Sequence, residues 1–297
     1  MRVLVTGATG FVGTRLLRSL DRPAILTRSP LVAGINGPGG TAYRWTPLGE
    51  PPPEACAGVG AVVHLAGEPV AEGRWSLEKK ARIRDSRVTG TRNLVRMIER
   101  SSGKPRVLVC ASAVGYYGDR GDEVLDESSP PGSDFLAEVC RAWEEAAAAA
   151  RAFGVRVVSL RIGIVLGAGG GALSKMLPPF RFGVGGRLGS GRQWMSWVHL
   201  DDVVDLILHA IGNEAVSGPV NAVAPAPVTN ADFTRTLGRV LRRPAIFPVP
   251  GFALKAALGE FAGVLLSSQR VAPRAALASG YVFKYPALEG ALREALS

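Results

Sequence analysis

Three glycines spaced three apart stand near the start of the chain, in the sequence Thr6-Gly7-Ala8-Thr9-Gly10-Phe11-Val12-Gly13. The apolar run Val3-Leu4-Val5 precedes them, and a periodic apolar stretch from Phe11 to Leu20 follows. Such glycines permit a tight turn and a close backbone approach to a pyrophosphate, and the helix start offers free N–H groups and a positive dipole end. A strand, a glycine turn and a helix in this order predict a dinucleotide site; the alternative is a plain glycine-rich turn.

The end of the second predicted strand indicates which dinucleotide is bound. The strand Ala24-Ile25-Leu26-Thr27 runs into Arg28 and Ser29. An NAD site usually has Asp or Glu about 20 residues past the glycines to hold the ribose 2′-hydroxyl. This strand end has no acid, because Asp21 lies before the strand. Arg28 suits a 2′-phosphate and the hydroxyls of Thr27 and Ser29 add to it, which predicts NADP(H); the alternative is a solvated loop arginine.

Composition and charge indicate a globular α/β protein. The chain has 297 residues, of which 47% are hydrophobic, enough for one large domain or one domain with an appended lobe. The net charge is +10, but the basic residues are interleaved with acids, as in Glu78-Lys79-Lys80-Ala81-Arg82-Ile83-Arg84-Asp85. We therefore expect no nucleic-acid partner. The three cysteines lack metal-ligand spacing and are odd in number, so we expect reduced thiols and no metal.

Two features bear on the compartment. The chain enters a strand at once, so we expect no signal or transit peptide. No apolar run approaches the roughly 18 residues that span a bilayer. Together they predict a cytoplasmic protein without a membrane partner.

Apolar strands and amphipathic helices alternate along the first half of the chain. Further strands are predicted at residues 41–45, 61–67, 106–111 and 155–161, and helices at residues 75–100 and 134–153. This alternation predicts an α/β fold, a Rossmann-type doubly wound parallel sheet with helices on both faces.

From residue 167 the rhythm changes, with glycine-rich stretches at 167–171 and 183–191 that are typical of binding loops. The prediction is an NADP-binding core, 1–166, and a smaller α/β lobe, 167–297, whose strands and helices partly return to the core. Within that lobe, residues 248–297 are predicted to form short helices. The crevice between core and lobe would hold the substrate.

Several stretches resemble extended short-chain dehydrogenases/reductases. They are the glycine turn, His64-Leu65-Ala66-Gly67, the exit of the fifth predicted strand and Trp197-Val198-His199-Leu200-Asp201-Asp202. The chain more narrowly resembles the atypical epimerase-like subgroup with a C-terminal domain of unknown function. The stretches that carry this narrower resemblance are Ser112-Ala113-Val114-Gly115-Tyr116-Tyr117-Gly118, Asp134-Phe135-Leu136-Ala137-Glu138-Val139-Cys140, Arg161-Ile162-Gly163-Ile164-Val165-Leu166-Gly167, Gly189-Ser190-Gly191-Arg192-Gln193-Trp194-Met195-Ser196-Trp197 and Asn221-Ala222-Val223-Ala224-Pro225. The resemblance covers essentially the whole chain. It implies an NADP(H)-binding oxidoreductase or epimerase acting on an unidentified small molecule.

The resemblance assigns cofactor contacts residue by residue. It implies contacts to the pyrophosphate, the 2′-phosphate and the ribose from Gly7, Thr9, Gly10, Phe11, Val12, Gly13, Thr27, Arg28, Ser29, Leu65, Ala66, Gly67 and Ile164. The family motif Asn-x-x-Gly-Thr corresponds to Arg87-Val88-Thr89-Gly90-Thr91, with Arg87 in the Asn position. Arg87, and less directly Arg82, would reach the cofactor phosphates or the substrate. The alternative for both is a solvated helix face.

The sequence departs from the family at its catalytic residues. Hydride-transferring members use a Tyr and a Lys four residues later, with a Ser or Thr at the exit of the fifth strand. Aligned on Glu144, these positions hold Leu136 and Cys140, and a shift of one residue gives Phe135 and Val139. The Ser/Thr position falls on Ala113. The usual machinery is therefore absent.

Other residues are candidates for the missing roles. Ser112, Tyr116 and Tyr117 are catalytic candidates, with aromatic packing as the alternative for one tyrosine. The predicted substrate pocket comprises Tyr116, Lys175, Gln193, Trp194 and Trp197; the alternative is the core of the small lobe. His64 is predicted to be a buried core histidine, and His199, Asp201 and Asp202 a structural group whose acids cap the next helix.

Two readings of function remain. The first is the oxidoreductase or epimerase with a non-standard proton donor. The second is a non-catalytic NADP(H)-binding sensor or scaffold, which the missing Tyr/Lys pair favours. The two long helices, 75–100 and 134–153, are expected by analogy to form a homodimer.

Overall fold

The computed structural model describes residues 1–30 and 39–297. The strands are β1 (Arg2–Thr6), β2 (Ala24–Thr27), β3 (Thr41–Arg44), β4 (Val59–His64), β5 (Val107–Ala113), β6 (Val124–Leu125), β7 (Arg156–Ile162), β8 (Ile164–Leu166), β9 (Trp194–Met195), β10 (Trp197–His199), β11 (Gly218–Ala222), β12 (Val228–Thr229) and β13 (Arg270–Val271). The helices are α1 (Phe11–Leu17), α2 (Leu77–Arg100), α3 (Phe135–Ala148), α4 (Gly171–Arg181), α5 (Leu200–Gly212), α6 (Asn230–Leu241), α7 (Gly251–Leu258), α8 (Phe261–Leu266), α9 (Arg274–Ala278) and α10 (Leu288–Ala295).

A seven-stranded sheet in the order β3-β2-β1-β4-β5-β7-β11 forms the centre of the molecule. All of its neighbouring strands run parallel. The chain winds outward from β1 in one direction through β2 and β3, and in the other from β4 onward. The order therefore reverses between β1 and β4, which is where ligands bind in open α/β sheets. The predicted Rossmann-type doubly wound sheet is confirmed.

Helices cover both faces of this sheet. Alternate residues of β1 point to opposite faces, as a strand's period of two requires: Val3 and Val5 pack into one core and Leu4 into the other. The first core lies under α1 and α5, and the second lies under α2 and α3.

Within residues 1–30 and 39–297, no helix is long and apolar enough to cross a membrane.

The predicted strands shift by one to three residues at their ends. The fourth strand ends at His64, not at residue 67, because His64 is the last residue paired with both β1 and β5. The Leu65 N–H still donates to Thr6 O, and the chain then leaves the sheet. The strands predicted at residues 106–111 and 155–161 are β5 and β7, and both run later than predicted, to Ala113 and Ile162.

The predicted helices begin and end at caps that the apolar pattern does not resolve. α2 begins at Leu77 rather than at residue 75, because Ser76 Oγ accepts a hydrogen bond from Lys79 N and caps the helix. α3 ends at Ala148, and a 3-10 turn continues the chain to Phe153. Gly154, at φ 76°, ends that turn in the left-handed conformation that glycine adopts without strain.

The second half of the chain contributes both to the central sheet and to a separate core. β11 extends the sheet beside β7, and α5 packs on its first face. Side chains of α4, α6 and α10 enclose a third apolar core, which includes Leu173, Phe233 and Leu292. The glycine-rich stretch at 167–171 leads directly into α4. The division at residue 166 stays a prediction.

The group around His199 is structural, but its roles differ from those predicted. His199 itself caps α5, with Nδ1 accepting from Asp201 N at 3.2 Å. Asp201 instead pairs with Arg15 of α1 at 2.8 Å. The buried Asp202 accepts hydrogen bonds from Tyr281 Oη (3.0 Å), Lys284 N (2.7 Å) and Tyr285 N (3.1 Å), so it attaches the C-terminal segment to the core.

Candidate functional site

The glycine turn lies directly against the end of β4. Gly7 has φ 70°, and a Cβ added to it would stand 2.6 Å from the carbonyl carbon of Leu65. A Cβ on Gly13 would stand 2.2 Å from Gly7 O, although Gly13 itself has no positive φ. Gly7 is therefore required by its conformation and by close approach, and Gly13 by close approach alone.

The outer side of the turn is open. A Cβ on Gly10 would meet only Gly7 O, at 3.2 Å, and Thr9 and Gly10 are exposed. Phe11 bounds this space, because Cβ atoms on Gly170 and Gly171 would lie 2.5 and 2.7 Å from its ring. The start of α4 thus rests on Phe11. Open α/β sheets bind ligands in a crevice at the carboxyl ends of the strands beside the switch point, and here the glycine turn, the exit of β4 and the start of α4 border that position. The open, backbone-lined side of the turn fits a pyrophosphate.

The end of β2 presents a cation beside this crevice. Thr27 is buried, and its Oγ1 accepts from Ser29 N at 3.3 Å. Arg28 is exposed, and no carboxylate of the described ranges pairs with it. The adenosine side of the crevice therefore has an arginine where an NAD site has an acid.

A second arginine lies at the exit of β4. The guanidinium carbon of Arg87 is 3.0 Å from the position of a Cβ on Gly67, and Nη1 donates to Glu68 O (3.0 Å) and Ile83 O (3.1 Å). Burial lowers the pKa of Arg87 below its ordinary value. Leu65 and Ala66 directly precede Gly67 at the exit of β4, and Ala66 N donates to Thr6 Oγ1 at 3.2 Å.

Arg82 and Ile164 are placed less favourably for a cofactor. Arg82 lies 3.5 Å from Glu68 Oε1 and is mostly exposed. Ile164 is half-buried in β8, where its N–H donates to Ser196 O. Val12 packs against the first core rather than facing the open side of the turn.

A buried ion pair supports the exit of β5. Arg161 binds Glu144 through two parallel contacts, Nε to Oε1 and Nη2 to Oε2, each 2.9 Å. Ser112 Oγ donates to the same Oε1 at 2.7 Å, so this candidate's hydroxyl is already engaged. Burial lowers the pKa of Arg161, but the bonds to Glu144 outweigh it and raise that pKa above its ordinary value. Sequence reasoning used Glu144 only for alignment and missed this pair.

The two tyrosines after β5 have different environments. Tyr117 is fully buried, and its hydroxyl contacts Asn221 Oδ1 (2.7 Å), Asp126 O (2.9 Å) and Arg161 Nη1 (3.0 Å). Burial raises the pKa of Tyr117 to about 12, so its phenol stays protonated at neutral pH. Tyr116 is half-buried, and its ring centroid lies 3.4 Å from the Arg161 guanidinium carbon.

Of the two alignments considered for the Tyr/Lys pair, the one on Glu144 gives Leu136 and Cys140, which lie beside β5 and the turn after it. Leu136 Cβ lies 3.5 Å from the position of a Cβ on Gly115, beside the turn that carries Tyr116. Cys140, one helical turn later, is buried near Ala113 and Ser112, and burial raises the pKa of its thiol to about 11. An apolar side chain and a protonated thiol therefore occupy these positions.

The predicted substrate pocket divides into buried and accessible members. Trp197 is fully buried in the third core with its Nε1 donating to Ala226 O, and this placement favours the core alternative. Gln193 is also buried, and its amide donates to Leu188 O at 3.0 Å. Trp194 is half-buried, with Arg270 4.3 Å from its ring centroid. Lys175 is exposed and donates to Ala71 O at 2.9 Å.

His64 is a neutral core histidine with both ring nitrogens hydrogen-bonded. Nδ1 lies 2.6 Å from Thr6 Oγ1 and Nε2 lies 3.0 Å from Thr91 Oγ1. Burial, and next the charge of Arg87, lower its pKa from the ordinary 6.5 to about 3.

This shift predicts acid destabilisation. Below pH 6.5 the unfolded chain binds a proton at His64, whereas in the folded protein His64 stays neutral until about pH 3. The free energy of unfolding therefore falls as the pH decreases from 6.5 toward 3. Between pH 7.5 and pH 5 we expect His64 to remove about 2 kcal/mol from the free energy of unfolding. Urea titrations at both pH values measure it, and His64→Gln should lose that part of the pH dependence. An unchanged pH dependence in the variant would show that His64 titrates normally.

A doubly wound parallel sheet with a glycine turn pressed against the switch-point strands defines a Rossmann-type dinucleotide-binding protein. Residues 52–223 match the NAD dependent epimerase/dehydratase family, and residues 249–295 match a domain of unknown function, DUF1731. The chain belongs to the NAD dependent epimerase/dehydratase family.

Similar proteins occur in plants, bacteria and animals. The chloroplastic epimerase family protein SDR39U1 homolog of Arabidopsis thaliana is 48% identical, over 99% of this chain and 86% of its own length. The human epimerase family protein SDR39U1, whose crystal structure contains NADPH, is 36% identical in sequence to this chain. The two structures superpose with a TM-score of 0.89 over 99% of both chains. A nucleoside-diphosphate sugar epimerase from Corynebacterium glutamicum is also 36% identical, with a TM-score of 0.80; the match covers all of this chain and 58% of that one.

Proposed function

We propose that this chain binds NADP(H) and acts as an oxidoreductase or epimerase on a small molecule without a Tyr-x-x-x-Lys pair. The observation that carries the proposal is the crevice at the switch point, with the glycine turn on one side and Arg28 in place of an acid. The human relative crystallised with NADPH supports it.

Different residues would bind different parts of the dinucleotide. The backbone of Gly7 to Gly13 would hold the pyrophosphate, and Arg28, with Thr27 and Ser29, the 2′-phosphate. Leu65, Ala66 and Gly67 would line the ribose, with Arg87 supplying a cation beside it. When bound, the nicotinamide would donate or accept a hydride.

Tyr116 fits proton transfer better than the other candidates. Ser112 Oγ is engaged by Glu144, and the Tyr117 hydroxyl by three neighbours. Tyr116 is half-buried, and its hydroxyl has no protein partner among residues 1–30 and 39–297. Tyr116→Phe is therefore the variant that separates proton transfer from NADPH binding.

The Arg28→Ala variant tests the proposal. A charge-assisted contact to phosphate contributes roughly 1.5–3 kcal/mol, so we expect the Kd for NADPH to rise about 10- to 150-fold. The Kd for NADH, which lacks the 2′-phosphate, should stay within about twofold. Quenching of tryptophan fluorescence in parallel titrations measures both constants. Arg18→Ala, an exposed arginine at the end of α1, is the matched control; an Arg28→Ala protein that still prefers NADPH would exclude the assigned contact.

A further inference from the structure

A segment without helix or strand, residues 68–76, connects the exit of β4 to α2; we call it the strap. Glu68 anchors its beginning: its N–H donates to Ser86 Oγ at 2.9 Å, its O accepts from Arg87, and its carboxylate pairs with Lys79 at 2.8 Å. The strap therefore begins at a fixed point, directly beside the arginine at the crevice.

From that point the strap crosses to α4. Ala71 O accepts a hydrogen bond from Lys175 Nζ at 2.9 Å. Because the start of α4 rests on Phe11, next to the glycine turn, a bridge from β4 to α4 runs across the crevice between them. The strap thus lies where a cover over the dinucleotide site would lie.

The second half of the strap is held by the C-terminal unit, residues 249–295. Arg74 Nη2 donates to Ala256 O at 2.5 Å and to Ala257 O at 3.4 Å. These carbonyls belong to the last turn of α7, where backbone acceptors lack intrahelical partners. A guanidinium there also meets the negative end of the helix dipole.

Apolar and ionic contacts to α8 complete this attachment. The Trp75 ring lies between Phe261 of α8 (5.9 Å between centroids) and Phe135 at the start of α3 (5.4 Å). Lys80, at the start of α2, pairs with Glu260. Phe135 directly precedes Leu136, which contacts the turn of Tyr116, so the attachment adjoins the start of α3 next to that turn.

The same unit also touches the turn after the tyrosines. Ser268 N donates to Asp119 Oδ1 at 3.0 Å, and Gln269 Nε2 donates to Gly118 O at 3.1 Å. Asn221, which holds the Tyr117 hydroxyl, donates to Ala272 O at 3.0 Å. The C-terminal unit therefore contacts two separate borders of the crevice, the strap and the tyrosine turn.

We infer that the C-terminal unit works as a clamp: it holds the strap across the crevice, and NADP(H) leaves when the strap detaches from α7 and α8. The identity of the retained ligand rests on the proposed function. The attachment of the strap does not, because its contacts are present within the chain alone. The alternative is inert surface packing, in which loss of these contacts changes neither the strap nor ligand release.

The experiment compares variants on the two sides of the C-terminal unit. Phe261→Ala removes the ring against Trp75, and Glu260→Ala removes the partner of Lys80 from an exposed position that folding tolerates. Glu289→Ala is the matched control, since it removes a glutamate of the same unit that pairs with Arg239 and Arg293 instead. Two rates are measured: trypsin cleavage after Arg74 in the ligand-free protein, and dissociation of NADPH by competitive displacement.

We expect Phe261→Ala to accelerate both rates about tenfold, and Glu260→Ala a few-fold, with wild-type rates in Glu289→Ala. Unchanged cleavage in both variants, or equal acceleration in the control, would overturn the clamp. Faster cleavage with unchanged NADPH dissociation would overturn its role in ligand retention. If the wild-type protein binds no NADPH, the proposed function fails, and cleavage after Arg74 still decides whether the strap is clamped.

Discussion

Replacement of Gly13 by alanine should weaken NADPH binding at least about 100-fold, equivalent to about 2.7 kcal/mol. The added Cβ would stand 2.2 Å from Gly7 O and 2.8 Å from Ala8 Cα. Both atoms belong to the backbone, so no side-chain rotation relieves the overlap, and the turn must open. Since Gly7 abuts the exit of β4, that opening disturbs the pyrophosphate and ribose positions together. Fluorescence titration with NADPH measures the loss.

Gly103→Ala is the matched control, because a Cβ there meets nothing within 4 Å and Gly103 has no positive φ. Circular dichroism separates loss of binding from loss of fold. Gly10→Ala is the second test: its Cβ would meet only Gly7 O at 3.2 Å and would otherwise enter the open side of the turn. A folded Gly13→Ala protein with wild-type affinity for NADPH would show that the turn does not form the site.

Replacement of Glu144 by alanine should lower the free energy of unfolding by about 3–5 kcal/mol. The variant leaves the Arg161 guanidinium, only 3% exposed, without its bidentate carboxylate partner. It also leaves the hydroxyl of the buried Ser112 without an acceptor. An uncompensated buried charge is among the most costly single changes in a protein, because burial removes the water that would otherwise solvate it. Urea unfolding followed by circular dichroism measures the change.

The next residue supplies a matched control for this pair. Glu145 lies on the outer side of α3, where its carboxylate is 70% exposed and 3.9 Å from Arg141. Glu145→Ala should therefore change the free energy of unfolding by less than about 0.5 kcal/mol. Similar losses in Glu144→Ala and Glu145→Ala would mean that the buried pair contributes no more than a surface one.

The nucleotide-binding half of the fold can be predicted from the sequence because it depends on local sequence patterns. A glycine turn must follow one strand and open one helix, and a doubly wound sheet brings that turn to its switch point. Element ends are less readable. β4 ends at His64, which pairs with Thr6, the last residue of β1, so its end depends on another strand, and the start of α2 depends on the Ser76 side chain.

Contacts between distant segments explain what sequence reasoning missed. The Trp- and Met-rich motif around Trp197 left a substrate pocket and the core of the small lobe as equal alternatives, and only the fold shows that the third core buries this side chain. The Arg161–Glu144 pair joins a strand to a helix 17 residues away. One feature of the sequence could have predicted this pair: Arg161 stands inside an otherwise apolar strand, and a buried charge needs a partner. The contacts of the strap join residues as far apart as Arg74 and Ala256, 182 positions away, and hydrophobic periodicity in the sequence does not predict such contacts.

Parallel titration of the wild-type protein with NADPH and with NADH, followed by tryptophan fluorescence, tests the central claim most directly. The crevice at the switch point, with Arg28 and no acid at the end of β2, predicts saturable binding of both nucleotides and a Kd for NADPH at least about tenfold lower. Equal affinities would contradict the role of Arg28, and absence of binding by either nucleotide would contradict the site itself.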